Sequence, residues 1–61
     1  MSDTLTQQAK KAIAAEVELQ ECYRKMSTES RNPKVKAVLK DLLLMEEMNE
    51  VLLRSLNQNL G

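Results

Sequence analysis

Histidine is absent from this 61-residue chain, as are tryptophan and phenylalanine, and cysteine, proline, glycine and tyrosine each occur once. Without histidine there can be no Ser-His-Asp triad, no imidazole general base and no histidine-containing zinc site. Cys22 on its own excludes an intramolecular disulfide framework, and Tyr23 on its own is no stacking platform for bases. No charge of either sign is in surplus: nine Lys and Arg balance nine Asp and Glu, so neither nucleic acid nor an anionic membrane is an expected partner. Nor is there a long apolar run. No run exceeds four residues, the most apolar being Leu42 to Met45, far short of the roughly 20 residues a spanning helix needs. The polar start, Met1 to Thr4, has no signal-peptide character, and with one free thiol the expected compartment is the cytoplasm.

What is present is helix-forming. Lys, Glu, Leu, Met, Ala and Gln dominate, and the one strong interruption is Ser30-Arg31-Asn32-Pro33. Asn32 is a good N-cap, and Pro33 suits the first helical position, where its missing N–H costs nothing. The chain (1–61) is therefore expected to be a single all-α domain, with helices over about 4–29 and 33–57, and with Asn57, Asn59 and Gly61 as a fraying end. The short turn predicts an antiparallel hairpin.

Steps of four and three along the first helix select Leu5, Ala9, Ala12, Glu16, Leu19, Tyr23 and Met26; along the second they select Val35, Leu39, Leu42, Glu46, Asn49, Leu53 and Leu56. Both read as bundle seams interrupted near their middles by polar residues. Glu16 and Glu46 are equidistant from the turn, so Glu16, Glu46 and Asn49 are expected at one level of an otherwise apolar seam. The second helix is also apolar away from that seam, at Leu44, Met48 and Val51. A helix apolar on more than one face is covered on more than one face. One hairpin cannot do that, and the expected form is a homodimer making a four-helix bundle, or a larger homo-oligomer, with the extra strip open to a protein partner.

Carboxylates inside an apolar seam pair, protonate or bind a cation. Glu16 on one helix and Glu46-x-x-Asn49 on the other match the carboxylate pattern of di-metal bundles, except that the last ligand is not histidine. Two readings stay open: a divalent-metal (Fe or Mn) site at Glu16, Glu46 and Asn49, or a hydrogen-bonded polar layer shared with Tyr23. Cys22 reads as a small packing residue, and Lys34, Lys36 and Lys40 with Arg31 read as a solvated face.

Glu16-x6-Tyr23, then Asn32 to Leu39, then Glu46-Glu47-Met48-Asn49 resemble the ferritin-like superfamily over roughly residues 9–56, in particular rubrerythrin-type half-bundles and the two-helix encapsulated ferritins. The resemblance implies that Glu16 and Glu46 occupy ligand positions and that Tyr23 matches the tyrosine just outside the ligand sphere. Asn49 departs from it, standing where the family has histidine. An amide oxygen is a hard, neutral ligand that suits Ca, Mg or Mn better than iron. The balance on enzyme status leans to no, with weak ferroxidase-like activity following only if metal binds. The alternative is a metal-free structural or protein-interaction module that keeps the hairpin.

Overall fold

The computed structural model describes residues 2–60. It is an antiparallel pair of α-helices, α1 (Ser2–Glu29) and α2 (Pro33–Leu60), packed against each other along their length. The turn forms as its residues dictate. The Asn32 side-chain oxygen accepts from the backbone N–H of Lys34 at 2.9 Å and of Val35 at 3.4 Å, while the Asn32 carbonyl accepts from Lys36 at 3.0 Å to open α2. Ser30 closes α1 through its N–H to the Met26 carbonyl and braces the turn by accepting from the Asn32 N–H.

α2 runs to Leu60 rather than stopping near 57, so the expected fraying at Asn57 and Asn59 is corrected. The Asn59 amide donates to the Ser55 carbonyl at 3.0 Å, occupying one of the acceptors that a helix end otherwise leaves open. Gly61 lies outside the described residues.

The seam between the helices is turned by one residue from the expected one. Ala9, Glu16 and Tyr23 on α1, and Leu39, Glu46 and Leu53 on α2, are buried or half-buried as anticipated. The other half of each heptad pattern moves in part: Ala12 and Leu42 stay half-buried beside Ile13 and Leu43, whereas Gln20 and Ser27 replace Leu19 and Met26 on α1, and Glu50 and Asn57 replace Asn49 and Leu56 on α2. Leu5, Leu19, Met26, Val35, Asn49 and Leu56, all expected in the seam, are exposed. The cause is that two helices share only one seam, and here that seam includes polar cross-links. Gln20 reaches α2 through two hydrogen bonds, and Arg24 pairs with Glu47 at 3.3 Å.

The hairpin has almost no interior. Among the described residues Ala9 and Leu39 are the buried apolar ones, at 5% and 4% exposure, while eleven large hydrophobic side chains are exposed. The molecule measures 47 × 14 × 10 Å with a radius of gyration of 14.2 Å, against about 10.5 Å for a compact chain of this length. Its accessible surface is 4944 Å², roughly 900 Å² more than the about 4,000 Å² of a compact monomer of this mass.

Candidate functional site: a polar level beside an open apolar face

Halfway along the hairpin the polar contacts converge on Gln20. This residue is 5% exposed, and its side-chain nitrogen donates to the Glu50 carboxylate at 2.7 Å and to the Glu46 backbone carbonyl at 3.4 Å. On the solvent side Glu50 also accepts from Arg54 at 2.7 Å, one turn further along α2. The Gln20 amide first, and the Arg54 guanidinium next, hold the Glu50 carboxyl below its usual range, against the opposing effect of burial. Neither Gln20 nor Glu50 stands out in the heptad reading, because that reading favours the apolar Leu19 and takes Asn49 as the seam position. The signal that was available is the Glu50-x-x-x-Arg54 spacing, a stabilising helical pair in its preferred order.

The expected site residues are distributed as follows. Glu16 is half-buried, and its Oε2 is buried without a hydrogen-bond partner. Glu46 is half-buried, and its recorded link to α1 is through its backbone. Asn49 is exposed and borders a shallow apolar depression with Leu44, Met45 and Met48, outside the seam where it was expected. Tyr23 is half-buried beside Arg24, Leu39 and Leu43. Among the described residues, no group of three or more Cys, Asp or Glu side chains is placed to hold a metal ion.

The two broad sides of the hairpin differ in chemistry. One carries the Gln20–Glu50–Arg54 and Arg24–Glu47 links. The other is largely apolar. Near the turn a groove is lined by Met26, Val35, Val38, Leu39 and Leu42 with Lys34 at its edge, and near the open end a second is lined by Leu5, Ala9, Ala12, Leu53, Leu56 and Leu60 with Gln8. On the outer side of α2, Leu44, Met48 and Val51 form a further exposed strip. No helix among the described residues is long and apolar enough to cross a membrane.

Fold and surface together define the chain as an amphipathic two-helix hairpin with an exposed apolar face. Comparison with protein-family models, with curated proteins and with solved structures finds no match to this chain.

Proposed function

We propose that this chain is a self-associating helical hairpin of ferritin-like type, acting in the cytoplasm as a structural or protein-interaction module. A homodimer built as a four-helix bundle is its basic unit. One observation carries the reading: the exposed apolar face. The roughly 900 Å² of surface beyond that of a compact monomer is close to the about 800 Å² that each partner gives up in a standard interface. A second copy suits this face because the chain is electrically neutral, so identical molecules approach without net repulsion.

A second reading, a divalent-metal centre using Glu16 and Glu46 from both copies with Asn49 as a weak ligand, is favoured by one observation: the Glu16 Oε2 that finds no partner within the hairpin. Fe or Mn would be the cation, and pairing across the dimer would raise the carboxylate count that one chain lacks.

Native mass spectrometry of the purified protein, as isolated and after incubation with ferrous or manganous ions, tests both readings. A dimer that stays metal-free is the expected result. A stoichiometric metal lost in Glu16→Ala, with helicity retained, would replace the first reading by the second, and a monomer at micromolar concentration would rule out both.

A further inference from the structure

Charge is balanced over the whole chain but not along it. Residues 24–40, which form the turn and the helix ends beside it, hold six of the nine Lys and Arg and only one of the nine acids, Glu29. Net neutrality therefore conceals a cationic end, and a local surplus of this kind attracts anions whatever the total. At that end a cleft of about 470 Å³ opens between the helices, with Arg24 of α1 and Lys36 and Lys40 of α2 in its walls. It lies on the side that carries the Arg24–Glu47 pair, away from the open apolar face. Its volume is in the range of small-ligand sites.

The lining is more selective than an open patch of lysines. Lys36 and Lys40 are four residues apart on one helix face, a like-charge pair that destabilises the helix unless it is neutralised. The ion pairs among the described residues are Arg24–Glu47 and Arg54–Glu50, so neither lysine is paired. Arg24 gives Glu47 a single contact at 3.3 Å, which leaves most of its five N–H donors unused. Of the hydroxyls in the cleft, that of Thr28 donates to the Arg24 carbonyl at 3.0 Å, whereas those of Tyr23 and Ser27 have no hydrogen bond to another described residue. Leu39, buried, and Leu43, half-buried, add an apolar surface. With Glu47 offsetting Arg24, the uncompensated charge is that of the two lysines. We infer that this cleft binds a small phosphomonoester. A phosphate of charge about −1.5 to −2, with three acceptor oxygens, balances Lys36 and Lys40 and accepts from Ser27, Tyr23 and Arg24. The organic part rests on Leu39 and Leu43. A carboxylate, with one charge, leaves one lysine unopposed.

The test is an NMR titration of the isotope-labelled full chain with phenyl phosphate, inorganic phosphate and benzoate at constant ionic strength. Phenyl phosphate should shift the amide signals of Ser27, Lys36 and Lys40 saturably, with a millimolar Kd. Inorganic phosphate, which lacks the ring, and benzoate, which lacks the second charge, should each bind about threefold more weakly or worse. Lys36→Gln and Lys40→Gln should each weaken phenyl phosphate by about threefold, and together by about tenfold. Both positions are exposed and glutamine is a good helix former, so these variants keep the hairpin. Lys34→Gln is the control. Lys34 is as near the turn but edges the groove on the opposite side, and its loss should change the affinity by less than about twofold. An equal loss in Lys34→Gln would reduce the effect to diffuse attraction and overturn the site. Benzoate binding as tightly as phenyl phosphate overturns the phosphate assignment, and no saturable shift with any of the three overturns binding altogether. The cleft lies away from the open apolar face, so each outcome reads the same whether or not the hairpins associate.

Discussion

Gln20 and Glu50 are joined across the two helices by a 2.7 Å bond from the amide nitrogen to the carboxylate, and no other polar cross-link among the described residues is shorter. A neutral donor buried at 5% exposure against a carboxylate that also holds Arg54 is a directional contact in a seam whose apolar side chains are mostly only half-buried. It therefore does more to set the rotation of the helices than the sparse apolar contacts beside it.

The first prediction follows from the order of influences on Glu50. The Gln20 amide is the largest of those lowering its carboxyl, ahead of Arg54. Gln20→Leu should move the Glu50 titration, followed by NMR at its side-chain carbonyl, upward toward the ordinary glutamate value. Arg54→Ala should move it in the same direction, since it removes both a hydrogen bond and a favourable charge. An unchanged midpoint in Gln20→Leu would mean that the cross-helix bond does not persist in solution.

The same residue governs an acid limb of stability. Glu50 titrates lower in the folded hairpin than the ordinary value near 4.5, so the folded state holds fewer protons than the unfolded one through that window. Its contribution is thus fully present above pH 4.5 and disappears as the pH falls through the lowered folded value. Chemical denaturation at pH 3 and pH 6 should show a smaller pH-dependent loss in Glu50→Gln than in the unchanged protein. Equal losses would place the acid sensitivity elsewhere.

The turn offers a third test. Asn32→Ala removes the acceptor for the Lys34 and Val35 N–H groups and should cost about 1 kcal/mol. For a chain of this size that is a fall in Tm of roughly 4–8 °C at constant protein concentration. Asn32→Asp or Asn32→Ser, which keep an acceptor, should lose less than half as much in the same thermal melts.

Asn32 and Pro33 were also the most legible part of the molecule in sequence, because capping and proline geometry are local and depend on no other element. Helix identity was legible for a related reason: nothing between residues 2 and 29, or between 33 and 60, interrupts the backbone. The rotation of the helices was not. Leu19 and Met26 fit an apolar heptad better than Gln20 and Ser27 do, and α2 is apolar over so much of its circumference that several seams satisfy the same pattern. Which face meets the other helix is then decided by side-chain reach and charge, through Gln20–Glu50 and Arg24–Glu47, and a periodicity test does not weigh these. The candidate site inherits that ambiguity. Glu16 and Glu46 keep their half-buried positions, but Asn49 moves outward with the one-residue turn.

The breadth of the apolar surface on α2 leads to the last prediction, which separates its two exposed regions. Val38 and Leu56 border the grooves on the open face of the hairpin, whereas Met48 and Val51 lie on the outer strip, at 63% and 64% exposure. If the open face holds the dimer, Leu56→Glu removes two buried leucines per dimer, each worth about 1.5–3 kcal/mol, and introduces two charges. Val38→Glu acts in the same way nearer the turn. Sedimentation equilibrium should then show dimer dissociation raised about a hundredfold or more in either variant, with helicity falling on dilution because the released hairpin has little core. Met48→Glu and Val51→Glu should leave the dimer constant within about threefold and remove only species larger than a dimer, since scattered exposed side chains contribute little to an interface they do not enter. The opposite pattern, a dimer broken by Met48→Glu and indifferent to Leu56→Glu, would transfer the self-association surface to the outer side of α2 and leave the open face for a different partner.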